Sequence, residues 1–496
     1  MKFPIEAVPI GGGRPKGASE ALADVKSGKR SIVQWVDECL MAIEAQAPLS
    51  AFVHVDSGGA RRAAMDADDL TVAERASRAL HGVPIAIKDN IDVAGHPTSA
   101  GSPALTGHVP RRHAAAVERL IAAGAIVVGK TNLHEFALGI TSNNKAFGPV
   151  RNPYAPDHIA GGSSGGSACA VAMQMAPVAL GTDTGGSIRI PAALCGVVGF
   201  RPSVGRWPTV GVVPISSTRD TVGPIARSVT DCALLDAVVC DEPLAVTKAG
   251  LDGLRIGVPR SLFWGNLETS VSDAGELVLN KMRNGGATLV PCDFDVNDEH
   301  LTHAGNVIAM AENLAGLRDY FAGHGLPFDA HRIAKAVASS DVRAVFKRML
   351  SASAPSAADH LRALEMRRSV LQTAYASCFF NQKIDAIVFP TTPLPAARIG
   401  EDELVELNGL MVRTFEIYTR NATSASVIGI PGISLPMGLS PLGLPLGIEL
   451  DGPAGTDRRL LSIAMALEHL LTALPTPKGA TPNGAAAALR TPGAAG

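Results

Sequence analysis

Aromatic residues are scarce, at 4% of the chain, and neither sign of charge prevails: 44 Lys and Arg stand against 46 Asp and Glu, for a net charge of −2. Without a basic stripe, a nucleic-acid partner is not expected. Arg111–Arg112 reads as ordinary solvated surface. No apolar run reaches the ~18 residues needed to cross a bilayer. The longest, Ala170–Leu180, is broken by Gln174 and Pro177. At the N-terminus, Pro4, Glu6, Pro9 and a glycine run interrupt the apolar residues before a signal-peptide core forms. The expected setting is therefore cytoplasmic, with no membrane partner. The cysteines number 7, an odd count, and no CxxC occurs, which argues against a disulfide framework. Cys195, beside the richest motif, reads as a small buried hydrophobe.

What is present is a globular composition: 496 residues, 46% hydrophobic and 18% charged, enough for a large core and too apolar for disorder. Residues 18–46 carry a helical stripe (Ile32, Val33, Val36, Cys39, Leu40, Ile43). HGVPIAIKDN predicts a strand, HAAAVERLIAAG an amphipathic helix closed by Gly124, and AIVVGK a buried strand. That rhythm predicts α/β layering. Residues 253–296 read as βαβ, 297–380 as mostly helical, IDAIVFPTT and GLPLGIELDG as strands, and Arg413–Ser426 and Asp457–Leu471 as helices. The expected organisation is a helical lead-in over 1–60, one large domain over 61–472, and a low-complexity, disordered tail over 473–496.

Two Gly/Ser-rich segments, Gly161–Ala170 (GGSSGGSACA) and Gly181–Gly196 (GTDTGGSIRIPAALCG), run straight into Ala-rich apolar helices. A flexible linker does not do that; glycines inside a core imply special dihedrals or close approach to a ligand. In the second segment a short buried run turns through Thr182–Gly186 and Ser187 opens a helical turn. Free N–H groups in such a turn suit an oxyanion, and a serine there suits a nucleophile. On the local pattern alone, a plain N-cap serine remains the better reading. GGSSG (161–165) matches the G-x-S-x-G elbow in letters, but it follows a loop rather than the strand an elbow requires. DTG (183–185) and DSG (56–58) imitate aspartic-protease motifs in a chain too helical and aromatic-poor for that fold. No Gly-Lys-Ser/Thr follows either loop, so no P-loop is present. His134–Glu135 lacks the second histidine of HExxH, and His300 and His303 beside Glu299 read as a solvated loop. No metal ligands and no cofactor are therefore assigned.

Lys88 is an oddity. In its strand Ile85 and Ile87 face one way, and Ala86 and Lys88 the other. Both faces are apolar, so the amine would be desolvated and its pKa lowered. Taken alone, a lysine snorkelling from a strand end is the simpler account.

Read together, PIAIKDNIDVAG, GGSSGGSA and GTDTGGSIRIPA closely resemble the amidase signature family, in order and in the spacing of Ser163 and Ser187. The resemblance covers roughly residues 20–472, and 137–160 with STRDTVGPIARSVTD is most similar to the branch of indoleacetamide and mandelamide hydrolases. It implies an α/β fold, a single domain with a central mixed β-sheet flanked by helices. It also implies a Ser–cis-Ser–Lys triad: Ser187 as nucleophile, Ser163 as the cis-serine and Lys88 as base. By the same resemblance the N–H groups of Thr184, Gly185, Gly186 and Ser187 form the oxyanion hole, and Ala137, Leu138 and Gly139 line the substrate cleft. Asp183 and Arg189, polar in an apolar stretch, are read as supports of that machinery.

The implied activity is hydrolysis of a small, aryl or arylalkyl, amide through an acyl-enzyme. A carbamate or aryl-acylamide hydrolase, and the glutaminase-type subunit of a tRNA-dependent amidotransferase, stay open. A non-catalytic binding protein is disfavoured by the intact triad. The expected partner is a small-molecule amide or carbamate, on a monomer or homodimer. Pocket walls are expected from 137–147, from helices within 305–350 and from 411–428, with Phe136, Phe147, Phe415 and Tyr418 as possible apolar contacts.

Overall fold

Alternation along the strands decides the architecture. Ile85, Ile87, Val178, Leu180, Val198 and Phe200 share one apolar cluster, while Ala86, Ala179 and Ile225 join another. A strand with both faces buried needs cover on both sides, and the chain supplies it. In this computed structural model, which describes residues 17–294, 296 and 303–479, a sheet of 11 strands runs through the core. Its order is Phe52–Val55, Ile126–Thr131, Pro84–Lys88, Val178–Asp183, Thr221–Ala226, Val198–Arg201, Gly432–Leu439, Pro445–Asp451, Ala386–Pro390, Arg255–Val258, Thr288–Pro291. The sheet is mixed, as expected: Ile126–Thr131, Pro84–Lys88 and Val178–Asp183 are parallel, as are the last three strands, and the joins between and outside these groups are antiparallel.

Helices Ile32–Ala45, Ser57–Asp68 and Gly165–Ala172 contribute to the cluster on the Ala86 face; Val229–Cys240, Thr269–Asn284 and Asp457–Leu470 contribute to that on the Ile85 face. Gly165–Ala172 is buried at every residue, and its small side chains allow close approach. A Cβ on Gly166 would lie 2.3 Å from the Asn132 carbonyl oxygen and 2.5 Å from that of Ala51.

The helix read over Arg413–Ser426 resolves into Thr414–Thr419 and Thr423–Ile428, preceded by an unforeseen hairpin, Leu404–Leu407 with Leu410–Arg413. The strand read over HGVPIAIKDN is confined to Pro84–Lys88. Of the expected tail, residues 473–479 lack helix and strand, with Tyr154 donating to the Pro475 carbonyl at 3.0 Å and Gln46 to that of Gly479 at 2.7 Å. The rest of it, the N-terminal MKFPIEAVPIGGG and His300 lie outside the described residues. Among those residues no helix is long and apolar enough to cross a membrane.

Candidate active site

Three parallel strands end side by side, and in open α/β sheets the carboxyl ends of such strands face the ligand crevice. Lys88 is the last residue of its strand and pairs in register with Thr131; its neighbour on the other side ends at Thr182–Asp183. The lysine is 0% exposed. Its Nζ lies 2.8 Å from Ser163 Oγ, 2.7 Å from Thr182 Oγ1 and 3.5 Å from the Thr182 carbonyl. Asn90 Nδ2 reaches the same Thr182 hydroxyl at 3.1 Å. Burial lowers the Lys88 pKa to about 7, against the opposing pull of Asp183 and Asp220. An ammonium loses more hydration in this setting than those carboxylates return.

Ser163 follows a cis peptide bond, Gly162–Ser163. Its carbonyl accepts the His134 N–H at 3.1 Å and the Ser142 hydroxyl at 3.3 Å, so the 134–142 loop brackets it from both ends. Ser164 binds the lysine's neighbour: its hydroxyl donates to the Thr182 carbonyl at 3.2 Å, and its N–H donates to the Ser187 carbonyl at 3.1 Å. The two Gly/Ser segments are thereby stitched to each other beside Lys88.

The Asp183–Ser187 turn is organised by one carboxylate. Asp183 Oδ1 accepts the Gly186 N–H at 2.8 Å, and Oδ2 accepts the Ile188 N–H at 3.2 Å and Arg189 Nε at 3.0 Å. Arg201 also pairs with Oδ1, at 3.0 Å. Burial would raise this carboxyl's pKa, but the Arg189 and Arg201 guanidiniums hold it well below the usual carboxylate range. Arg189 further reaches Glu449, the Ala422 carbonyl at 2.8 Å and Ser426 Oγ at 2.7 Å. Gly186 takes φ +115°, and a Cβ there would come within 2.7 Å of Ile190 and 2.8 Å of Ala422. The structure departs from the sequence reading at Gly186: its N–H is already committed to Asp183. Among the described residues, the N–H groups of Thr184, Gly185 and Ser187, and the Ser187 hydroxyl, have no partner. Ser187 is 8% and Thr184 7% exposed, whereas Asp183 and Arg189 are fully buried.

Ala137 and Leu138 pack with Leu133, Ile215 and Ala309, and Gly139 lies against the His134 ring, which a Cβ would meet at 2.2 Å. Phe136 and Ala137 both take left-handed dihedrals, φ +52° and +58°, a conformation that non-glycine residues hold mainly where surrounding structure enforces it. Of the four aromatics considered for a pocket, Phe136 and Tyr418 are buried in the core and Phe147 and Phe415 are exposed. His134 pairs with Asp341 at 2.8 Å, and Glu135 accepts from Ser102 and the Ala338 and Ser339 N–H groups. Both are structural.

Arg201 and Arg219 were not singled out in the sequence. Arg201 reaches the Asp183 carbonyl, and Arg219 the Thr184 carbonyl at 2.6 Å. Arg201 carried a local signal, an arginine in the apolar and small-residue stretch VVGFRPSVG, whereas Arg219, in SSTRDT beside Asp220, carried none. Among the described residues one trio, Asp92, His108 and His324, has the spacing of metal ligands. Those residues already have partners: Asp92 pairs with His324 at 3.0 Å, and Tyr320 donates to Asp92 at 2.7 Å while lying 3.0 Å from His108.

Comparison with known proteins gives the family. The family profile described as "Amidase" matches residues 34–461. An indoleacetamide hydrolase from Agrobacterium vitis is 41% identical over 453 residues, 91% of this chain and 96% of the relative. A mandelamide hydrolase from Pseudomonas putida is 39% identical over 480 residues, 92% of each chain. The solved peptide amidase of Stenotrophomonas maltophilia superposes with a TM-score of 0.81 at 30% identity, covering 93% of this chain and 98% of its own. A strand-end lysine against a glycine-flanked serine, a serine in a pinned glycine turn, and near full-length similarity to such hydrolases place this chain in the amidase signature family.

Proposed function

We propose that this amidase hydrolyses the C–N bond of small aryl or arylalkyl amides through an acyl-enzyme on Ser187. The observation that carries the reading is the environment of Lys88: wholly buried, its pKa lowered to about 7, and 2.8 Å from the Ser163 hydroxyl. A serine nucleophile needs a neighbouring base, and a neutral amine is one.

The neutral Lys88 amine accepts the Ser163 proton as Ser163 accepts that of Ser187. Ser187 Oγ attacks the amide carbon, and the carbonyl oxygen becomes an oxyanion facing the N–H groups of Thr184, Gly185 and Ser187. As the intermediate collapses, Ser163 returns its proton to the departing nitrogen and ammonia leaves. Water, deprotonated along the same relay, then attacks the ester carbon, and Ser187 is released with the carboxylic acid. Ala137, Leu138 and Gly139 border the acyl side, and Asp183 and Arg189 hold the turn. The aryl preference rests on the names of the indoleacetamide and mandelamide relatives.

Product release is measured as ammonia from indoleacetamide, mandelamide, phenylacetamide and glutamine, as aniline from an anilide and as phenol from a phenyl carbamate, with a fluorophosphonate probe locating the nucleophile. The expected result is turnover of the arylalkyl amides and probe mass on Ser187. Probe mass elsewhere removes the nucleophile assignment; turnover of glutamine alone replaces the substrate class with that of a glutaminase.

A further inference from the structure

An oxyanion site works only if its N–H groups already face the reacting oxygen. A trans peptide is planar, and its N–H points opposite to the C=O of the same plane. Fixing a carbonyl therefore fixes the direction of the next residue's N–H. In this turn each plane with an open N–H has its carbonyl held. The Asp183 carbonyl receives Arg201 Nη1, so the Thr184 N–H is turned away from Arg201. The Thr184 carbonyl receives Arg219 Nη2 at 2.6 Å, so the Gly185 N–H is turned away from Arg219. The Gly186 carbonyl receives the Ile190 N–H at 2.8 Å, which sets the Ser187 N–H.

The second of these pins is the one that holds the peptide plane itself, since the Thr184 hydroxyl donates separately to Asp220 at 2.5 Å. A Cβ on Gly185 would meet a single atom within 4 Å, Arg219 Nη2 at 3.5 Å, so side-chain packing does not hold that plane. Arg219 is itself anchored: it is 4% exposed, and Nη1 donates to the Gly305 carbonyl at the start of helix Ala304–Gly323. Arg201 donates through Nη2 to the Arg219 carbonyl at 3.0 Å, linking the two pins. The planar guanidinium presents several N–H groups at fixed angles, so one side chain can hold two carbonyls at once; a lysine ammonium on its flexible stem holds neither direction.

Resting on the acyl-transfer reading above, we propose that Arg201 and Arg219 are positioning residues of the oxyanion-binding turn, holding the 183–184 and 184–185 peptide planes so that the Thr184 and Gly185 N–H groups are set before the oxyanion forms. Both arginines act through the peptide planes they hold. Loss of Arg219 frees the Gly185 plane to rotate and present a carbonyl where a donor is required.

The test uses the full chain with Arg219→Gln and Arg219→Lys, the latter retaining a buried charge should the former not fold. Steady-state kinetics on phenylacetamide are set beside inhibition by its trifluoromethyl ketone analogue, which forms a hemiketal oxyanion on a serine. Expected are a fall in kcat of roughly 10- to 100-fold, a matching rise in the inhibition constant of the ketone, and an unchanged KM and pH limb, with Arg219→Lys no better than Arg219→Gln. A folded variant within twofold of wild-type kcat, full rescue by lysine, or equal losses in KM and ketone affinity overturns the assignment. Fluorophosphonate labelling of wild-type Ser187 separates the two levels: labelled wild type with unaffected variants removes the pins alone, and unlabelled wild type removes the acyl-transfer reading as well.

Discussion

Lys88 Nζ and Ser163 Oγ lie 2.8 Å apart in a fully buried setting, and the lysine makes no ion pair among the described residues. An ammonium there loses more to burial than Asp183 and Asp220 return, whereas a neutral amine can take a proton. With its pKa lowered to about 7 by burial, from about 10.4 in water, the base becomes competent as pH rises. Plots of kcat/KM against pH are therefore expected to climb through about 7 and level off above it. Lys88→Arg is expected to be nearly inactive at every pH, because a guanidinium does not deprotonate. Wild-type kinetics in that variant would take the lysine out of the mechanism.

The two serines are expected to separate in severity. Ser187→Ala removes the nucleophile and leaves residual turnover from binding and the oxyanion turn alone, roughly 10⁴-fold or more below wild type. Ser163→Ala keeps the nucleophile and loses the relay, at a cost of roughly 10²- to 10⁴-fold in kcat. Active-site titration with a fluorophosphonate checks both: the first variant should take up no label and the second should label slowly. Equal labelling of wild type and Ser163→Ala contradicts the relay.

Asp183 neutralises two fully buried arginines and accepts two N–H groups of the turn. Asp183→Asn keeps the shape and removes the charge, leaving Arg189 with Glu449 as its one carboxylate and Arg201 without an ion pair among the described residues. Breaking one side of a buried ionic cluster costs about 3–5 kcal/mol, and urea denaturation at neutral pH is expected to show a loss of that size. The sign with pH follows from its depressed pKa. The contribution is complete above the unfolded carboxyl's value, about 3.9, and fades only as pH falls below it, so the gap between wild type and variant should be flat from pH 5 to 8.

The sequence displayed the sheet strands and the three motif segments because both rest on local pattern. Ile85, Ala86 and Ile87 alternate between two apolar clusters as period two demands, and glycine runs that feed Ala-rich helices are visible as letters. The hairpin around Asn408–Gly409 was legible too: an Asn-Gly pair between alternating residues is a strong hairpin signal, but the helical reading that began at Arg413 left it unread. The pinned carbonyls of Asp183 and Thr184 were not legible. They depend on Arg201 and Arg219 meeting the turn across 18 and 35 positions of chain, and no periodicity encodes such a contact. The capture of the Gly186 N–H by Asp183 is a matter of turn dihedrals, which the motif letters leave open.

The last expectation concerns stability rather than rate. A lysine whose folded pKa lies below its unfolded one binds fewer protons folded than unfolded at any pH between the two values. Stability therefore rises with pH across that interval. Below about 7 the side chain is charged in both states and the burial penalty is complete; above about 10.4 it is neutral in both and the penalty is gone. Lys88→Met fills much the same volume without a charge. It sacrifices hydrogen bonds to the Ser163 and Thr182 hydroxyls, each worth about 1 kcal/mol. Removal of the burial penalty, on the order of a few kcal/mol at neutral pH, outweighs that loss. The inactive variant is thus expected to be more stable than the wild type at pH 7, by an amount that shrinks as pH approaches 10. Urea midpoints for both proteins at pH 6, 7, 8 and 9 measure it. A variant less stable at pH 7, or a difference independent of pH, would mean that Lys88 is comfortable as a cation in the folded chain, and the neutral base would lose its physical ground.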